Sequence, residues 1–338
     1  MRALSRLELN RALLARQLLL ERAELPLPEA LERVGGIQAQ YAPSMYIGLW
    51  SRVAGFERDH LTRALEEREV IQATLMRVTI HLVSRADYWP LAVATRDARR
   101  RLWLRRPDPP HDMADAAATV RAALAGGALR RKEVEALIGK ERAQGIHQWI
   151  DLVRAPPSGT WERRRADSYA AAEDWIGPPP PLEDPAGHLV RRYLEGFGPA
   201  SRKDVASFTG LPPAELKPVI ERVATERYAT EGGEELLDVA GAPLPDPATP
   251  APVRLLPTWD ATLLVHARRT GILPEEHRPR IFHTKLPQSV PTFLVDGAVA
   301  GAWRHTGDGI ELEPFETLDR ASLHAVREET DRAMSLFA

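Results

Sequence analysis

The chain has 338 residues, of which 44% are hydrophobic and 27% are charged, so it carries enough apolar side chains to fold into globular domains. A formal net charge of -2 and the absence of cysteine exclude a uniformly basic nucleic-acid-binding protein, a disulfide framework and thiolate chemistry. Neither a signal-peptide core nor an apolar run of about 18 residues occurs, which predicts a cytoplasmic protein without membrane contact.

The first region, residues 1–111, is predicted to form a winged-helix unit. Leucines at helical spacing follow Ser5, a candidate N-cap, and a glycine pair ends a second helix. Helices are predicted over 5–22, 28–34 and 57–68. The alternating, β-branched residues 74–83 then predict one extended strand.

The same order of elements predicts two further winged-helix units, over residues 112–184 and 185–248. In the first, the predicted helices cover 116–125, 130–138 and 146–153, and a hairpin follows around a Pro-Pro-Ser-Gly turn. In the second, they cover 188–197, 201–208 and 212–223, and a strand, a glycine turn and a strand complete the unit.

Residues 249–338 change character, because short apolar strands replace the helices. The segments RLLP, TLLVH, RIFH, TFLVDG, AVAGAWRH and IELEPF are read as strands, and Asp296-Gly297 is the strongest hairpin signal in the chain. A closing helix is predicted over 319–336. The predicted fold class is therefore α+β, with three tandem winged-helix units followed by a small β-barrel or sheet and a terminal helix.

Familiar nucleotide and metal motifs are missing from the sequence. Neither G-x-x-x-x-G-K-[ST] nor G-x-G-x-x-G occurs, and the histidines form no H-E-x-x-H. G-x-S-x-G is also absent. The sequence therefore predicts no cofactor and no metal.

The clearest polar pair is Gln38 and Gln40 in the segment GIQAQY, directly after the glycine pair. If the backbone is extended there, both carboxamides point to the same side. Two such groups can accept from and donate to one water molecule without adding charge. The alternative is a pair of ordinary polar loop residues near a helix end.

A second candidate group is Arg77, Thr79 and His81, which occupy alternate positions of the predicted strand 74–83. Alternate residues share one face, so a guanidinium, a hydroxyl and an imidazole would lie together and suit an anionic backbone or a polarised water. The alternative is the ordinary polarity of an exposed strand face.

Two basic clusters are candidates for DNA contact, since arginines beside an aromatic side chain suit phosphate binding and groove insertion. The alternative is a solvated charged surface. The predicted DNA-binding residues are Arg99, Arg100, Arg101, Arg105, Arg106, Trp161, Arg163, Arg164 and Arg165.

Taken together, these features resemble the AlkZ-like bacterial DNA glycosylases over essentially the whole chain. The resemblance rests on GIQAQY, which matches the Gln-hydrophobic-Gln form of that family's catalytic motif, on Arg-x-Thr-x-His, and on LLPTWDATLLVHARR and FLVDGAVAGAWR. A related branch carries Asp at the second motif position, so Gln40 favours the AlkZ side.

The resemblance implies a monofunctional enzyme that excises bulky N7- or N3-alkylated purines from duplex DNA. It also implies Gln38 and Gln40 as catalytic residues, with Arg77, Thr79 and His81 supporting them. Some family members unhook interstrand crosslinks or protect producers of DNA-alkylating natural products. Because Lys132 is the first lysine of the chain, Schiff-base lyase chemistry is not expected.

Two alternatives remain open at the level of sequence. Winged helices are mostly binding modules, so the chain could be a transcriptional regulator without catalysis. It could also act on another nucleoside or adduct. A regulator usually dimerises to match half-sites, and no dimerisation heptad is evident, so we expect a monomer whose partner is duplex DNA.

Overall fold

The computed structural model describes residues 1–266, 271–282 and 289–338, which form a mixed α+β fold of the predicted class. The helices are α1 (Arg6–Arg16), α2 (Leu27–Val34), α3 (Ala42–Trp50), α4 (Arg58–Glu66), α5 (Arg85–Leu104), α6 (Met113–Leu124), α7 (Arg131–Ile138), α8 (Lys140–Gly145), α9 (Ala172–Ile176), α10 (Pro185–Phe197), α11 (Arg202–Thr209), α12 (Pro213–Val223), α13 (Ala261–Leu264), α14 (Arg278–Ile281) and α15 (Arg320–Ala333).

The strands assemble into three sheets within the described residues. They are β1 (Arg2–Leu4), β2 (Ile37–Gln38), β3 (Val70–Thr74), β4 (Ile80–Ser84), β5 (Leu129–Arg130), β6 (Leu152–Arg154), β7 (Ser168–Ala171), β8 (Glu226–Thr230), β9 (Glu235–Asp238), β10 (Arg254–Leu256), β11 (Thr292–Val295), β12 (Ala298–His305) and β13 (Ile310–Pro314). The central sheet has six strands in the order β2-β4-β3-β6-β7-β5. The others are β1-β8-β9 and β10-β11-β12-β13.

Several predicted helices form because their ends carry the expected caps. The Ser5 hydroxyl accepts from the N–H of Glu8, whose carboxylate accepts from the N–H of Ser5 in return, so α1 begins with a capping box. Ser201 and Asp204 form the same arrangement at α11. Helix α12 begins at the predicted proline pair and continues through Pro218.

The central sheet joins residues on both sides of the predicted boundary at 111/112. Ala73 of β3 pairs with Val153 of β6, and β6 pairs in turn with β7. This pairing corrects the predicted helix over 146–153, which gives way to a 3-10 turn at Ile146–Gln148 and strand β6. Pairing with a distant strand overrides the local helical pattern. The three winged-helix units and their boundaries stay predictions.

The C-terminal region contains a four-stranded antiparallel sheet with α15 after it, and Asp296-Gly297 forms the predicted hairpin turn between β11 and β12. The segment TLLVH is not a strand, because the Asp260 carboxylate caps the helix α13 there. RIFH is also not a strand, since its first two residues end α14. Its last residue, His283, and residues 267–269 of the resemblance motif lie outside the described ranges.

Two buried ion pairs tie the N-terminal helices to the rest of the chain. The Arg16 guanidinium binds both carboxylate oxygens of Asp238, each at 2.8 Å, and Arg52 binds those of Asp260 at 2.9 and 3.0 Å. Such bidentate pairing offsets the free-energy cost of removing the two charges from water.

Among the described helices, none has both the length and the apolar composition needed to cross a bilayer.

Candidate active site

The glutamine motif lies on an edge strand of the central sheet. Gly35 and Gly36 end α2 with φ values of 72° and 81°, a backbone region that glycine adopts without steric cost. The chain turns there into β2, which contains Gln38, and Gln40 follows two residues later. The glycine pair that was predicted to end α2 therefore places the glutamine motif directly at strand β2.

Backbone pairing keeps this segment extended next to β4. Gln38 is the register partner of His81, and the N–H of Ala39 donates to the carbonyl of Ile80 at 2.7 Å. Alternate side chains of an extended segment leave it on the same side. A shared orientation of the two carboxamides requires an extended backbone. Strand pairing keeps the backbone extended at Gln38 and Ala39.

Arg77 fixes the orientation of Gln38. Its Nη2 donates to Oε1 of Gln38 at 2.7 Å. Because a guanidinium only donates, the contacted atom must be the amide oxygen, and the Nε2 group of Gln38 remains a donor. Burial lowers the pKa of Arg77 to about 10, and the guanidinium lies 5.0 Å from the ring centroid of Phe208.

The expectation that Arg77, Thr79 and His81 share one face of a single strand is wrong. The segment is a hairpin whose turn, Met76–Val78, separates β3 from β4. Arg77 and Val78 have φ values of 53° and 57°, a left-handed region that costs energy for residues other than glycine. Alternating polarity looks the same in a strand and in such a turn, so the sequence did not reveal it. The turn nevertheless directs Arg77 onto Gln38.

Gln40 differs from Gln38 in its hydrogen bonding. Its Oε1 atom is shielded from solvent and has no hydrogen-bond partner in the structure. A buried carbonyl oxygen without a partner costs about 1–3 kcal/mol of stability, so its presence at this position calls for a function. The atom is an acceptor that the folded chain leaves unused.

His81 is a neutral member of the site. Burial and then the positive charge of Arg77 lower its pKa to about 3. Its Nδ1 lies 3.1 Å from the carbonyl of Thr79, which can only accept, so Nδ1 carries the proton and Nε2 is an acceptor. The Thr79 hydroxyl donates to the Met76 carbonyl at 3.1 Å and closes the turn.

Gln72 supports the motif from β3, and the sequence analysis missed it. Its Nε2 donates to the carbonyl of Ala39, between the two motif glutamines, at 3.1 Å. Its Oε1 lies against Gly159, where a Cβ atom would come within 2.4 Å of that oxygen. The available signal was a glutamine inside an otherwise apolar strand.

The first basic cluster divides between buried and exposed arginines. Arg99 is only 4% exposed, and its Nη1 donates to the carbonyls of Thr74 and His147, so few of its donors remain for the predicted DNA contact. These arginines lie along α5 and just after its C-terminal end. One face of this helix packs in the core. Arg100 donates to the carbonyl of Gln148, whereas Arg105 and Arg106 are exposed.

The second basic cluster lies on the loop between β6 and β7. Trp161 is buried, because its ring packs against Tyr46 and Phe337, so its predicted insertion into a DNA groove is wrong. Arg163, Arg164 and Arg165 are exposed. This loop borders the glutamine motif, since Nη1 of Arg164 donates to the hydroxyl of Tyr41 at 3.3 Å.

A metal-binding geometry occurs once in the described part of the chain, at Glu276, His277 and Glu316. The two glutamates are exposed, and Nε2 of His277 lies 3.8 Å from the nearer Glu316 oxygen. Exposed acidic side chains commonly occur without an ion, so we assign no metal to this group.

The fold is that of a DNA glycosylase. Residues 31–336 match the family described as "DNA glycosylase AlkZ-like", and the chain belongs to that family. It is 24% identical over 349 aligned positions to the "Interstrand DNA cross-link repair glycosylase" of Streptomyces sahachiroi, covering 93% of this chain and 91% of that protein. The solved structure of the Streptomyces sahachiroi DNA glycosylase AlkZ has the same fold, with a TM-score of 0.81, 19% identity, and coverage of 99% of this chain and 97% of that one.

Family membership confirms the predicted enzyme class, DNA glycosylase, and with it DNA as the substrate. It removes the basis for a regulator without catalysis. The roles of Gln38, Gln40 and the supporting residues stay predictions.

Proposed function

We propose that the enzyme hydrolyses the N-glycosidic bond of N7- or N3-alkylated purines in duplex DNA, with Gln38 and Gln40 positioning the attacking water. The observation that carries the proposal is the buried, unpartnered Oε1 of Gln40, two residues from the Nε2 donor of Gln38. An acceptor and a donor at this spacing can hold one water molecule by two hydrogen bonds.

The chemistry of an alkylated purine suits such an uncharged site. Alkylation at N7 gives the base a positive charge, so it leaves as a neutral molecule without help from a strong acid. The C1′–N9 bond breaks and its electron pair neutralises the purine, while the sugar develops oxocarbenium character. Water forms the new C1′–O bond and releases its proton to solvent.

The two glutamines have different tasks in this proposal. Gln40 Oε1 accepts from the water and holds it near C1′, a contribution of positioning. Gln38 is held by Arg77 through its oxygen, so its Nε2 donates to the water, and the carbonyl dipole of Gln40 stabilises the positive charge that develops at the sugar. His81, with a pKa of about 3, stays neutral and adds no competing cation.

The same site also explains selectivity against undamaged DNA. Neutral adenine and guanine are poor leaving groups and need a proton during departure. The glutamines, the neutral imidazole and a guanidinium that keeps its proton near neutral pH supply no such acid. We therefore expect excision to require a base that is already cationic.

Crosslinked DNA is the second substrate in the proposal, since the Streptomyces relative is named for interstrand cross-link repair. A crosslink through alkylated purine nitrogens contains two cationic bases, and hydrolysis at either sugar unhooks the strands. A role in self-resistance to a DNA-alkylating natural product stays a prediction.

The experiment is incubation of the enzyme with a duplex that carries one N7-methylguanine, followed by heating in alkali to reveal abasic sites. We expect alkali-dependent cleavage at the lesion and an intact strand without alkali, because a lyase lysine is not available in residues 1–131. A crosslinked duplex analysed on a denaturing gel tests unhooking. Strand cleavage without alkali would contradict a monofunctional enzyme, and no excision from any alkylated duplex would contradict the proposal itself.

A further inference from the structure

A cavity that Arg77 helps to line lies between α5 and the turn that joins α11 to α12. Its volume is about 340 Å³. Val78, Leu102 and Pro212 contribute apolar side chains to its walls. None of the features described for the glutamine motif requires this cavity, although Arg77 belongs to both places.

The cavity is strongly biased toward positive charge. Arg77, Arg99, Arg101 and Arg105 line it, and no aspartate or glutamate does so among the described residues. Arg101 pairs with the exposed carboxylate of Glu215 at 3.3 Å, and the guanidinium of Arg105 has no hydrogen-bond or ion-pair partner in the described ranges. Four guanidinium groups around one space create a positive potential that attracts anions.

Two buried nitrogens of these arginines lack hydrogen bonds. Nη1 of Arg77 and Nε of Arg99 are shielded from solvent and have no partner in the structure. The cation of Arg77 has Gln38 as a neutral acceptor and a ring face of Phe208, but no carboxylate. Buried charges are normally paired, because an unpaired one is costly. Among the described residues, the chain supplies no counter-ion for Arg77.

One wall of the cavity is formed by the N-terminal end of helix α12. Helix α12 begins there with Pro213, and no side chain caps its first N–H groups. The N-terminus of a helix carries partial positive charge, which favours a phosphate nearby. The helix and the arginines approach the cavity from different elements.

We propose that this cavity binds a phosphate group of the DNA backbone, which serves as the counter-ion of Arg77. The inference rests on the proposed function and extends it, because it places a DNA backbone contact next to the residue that orients Gln38. A bound phosphate would fix the Arg77 guanidinium and thereby the Gln38 amide, so correct seating of the DNA and alignment of the site would be linked.

The test compares Arg105→Ala with Arg304→Ala in the full chain. Both arginines are exposed, but Arg304 lies on the C-terminal sheet, does not line the cavity and is not among the predicted DNA-binding residues. Binding of an undamaged duplex is measured against salt concentration. We expect Arg105→Ala to make the slope of log K against log salt less negative by about 0.9, the loss of one phosphate contact, and Arg304→Ala to leave it nearly unchanged.

A second arm separates DNA phosphate from free phosphate. Inorganic phosphate is titrated at constant ionic strength, and binding is followed by ³¹P resonance broadening. Broadening that is lost in Arg105→Ala, together with the changed DNA slope, supports the proposal. Broadening without a changed slope would assign the cavity to a free anion and overturn it. Equal slopes for both variants and the wild type would also overturn it.

Failure of this inference is distinguishable from failure of the proposed function. Binding is measured on undamaged duplex, whereas the function is judged by excision of N7-methylguanine. An enzyme that excises the lesion and shows an unchanged slope in Arg105→Ala keeps its function and loses the cavity assignment. An enzyme that shows the slope change and excises nothing loses the proposed function.

Discussion

Gln38 and Gln40 are two residues apart in the segment that begins with β2 but differ in hydrogen bonding, since Gln38 Oε1 accepts from Arg77 at 2.7 Å and Gln40 Oε1 is buried without a partner. One amide is fully oriented by the protein, and the other keeps an acceptor free. This asymmetry separates the two glutamines into an oriented donor and an available acceptor.

Replacement of Arg77 by methionine removes the donor that orients Gln38. A hydrogen bond from a charged group contributes about 1.5–3 kcal/mol, so we expect kcat to fall at least about tenfold. Because the guanidinium is buried without a carboxylate, its loss should leave the melting temperature unchanged or raised. Single-turnover excision and thermal unfolding test both parts. A large drop in melting temperature with unchanged kcat would assign Arg77 a structural role.

Gln72 supports the glutamine motif through its hydrogen bond to the Ala39 carbonyl, and its side-chain oxygen lies against Gly159. Gly159→Ala would place Cβ 2.4 Å from Gln72 Oε1 at a φ of 82°, so we expect a loss of unfolding free energy above about 1 kcal/mol. In a Gln72→Ala background this collision is absent, and the backbone strain and a 3.1 Å approach to the Cβ of Ala166 remain. Urea unfolding of the two single variants and the double variant measures the coupling. Strictly additive effects would contradict the contact.

His81 is predicted to leave no titration step in catalysis near neutral pH. Burial and Arg77 lower its pKa to about 3, so the imidazole is neutral from pH 5 to 8. The kcat profile should be flat across this window. A step with an apparent pKa near 6.5 that disappears in His81→Asn would show that His81 titrates during catalysis.

The same histidine should make stability depend on pH. The unfolded chain binds a proton at the His81 side chain near pH 6.5, whereas the folded chain binds it only near pH 3. The contribution of His81 to stability is therefore present above pH 6.5 and is lost as the pH falls toward 3. His147, whose pKa is also lowered to about 3 by burial, acts in the same direction. Urea unfolding should give a lower unfolding free energy at pH 5 than at pH 7. This difference between the two pH values should be smaller in His81→Asn.

The exposed arginines Arg163, Arg164 and Arg165 are expected to contact DNA phosphates beside the glutamine motif. Each contact contributes about 0.9 to the slope of log K against log salt, so replacement of all three by alanine should flatten the slope. Arg304→Ala is the control, because its side chain is 74% exposed on the C-terminal sheet. An unchanged slope in the triple variant would remove this loop from the interface.

Local signals predicted those parts of the molecule that local chemistry determines. Ser5 and Ser201 cap their helices, the glycine pair delivers the motif to β2, and Asp296-Gly297 forms a hairpin, because caps and positive φ values depend on a few neighbouring residues.

Features that depend on distant contacts were not predicted. Trp161 is buried by Tyr46 and by Phe337, which lie far away in the sequence, and Arg99 is buried because α5 crosses the strands. Helix α3 is buried on every side, so it has no amphipathic pattern to find. The orientation of Gln38 depends on a left-handed turn at Arg77, which no local preference favours.

The measurement that bears most directly on the account is single-turnover release of N7-methylguanine from a duplex by wild type, Gln38→Ala, Gln40→Ala and the control Gln144→Ala. Gln144 is an exposed glutamine on α8. We expect each motif variant to lose about 10²-fold or more in rate with nearly unchanged duplex affinity, and the control to match wild type. Undiminished release by the double variant Gln38→Ala/Gln40→Ala would contradict the account.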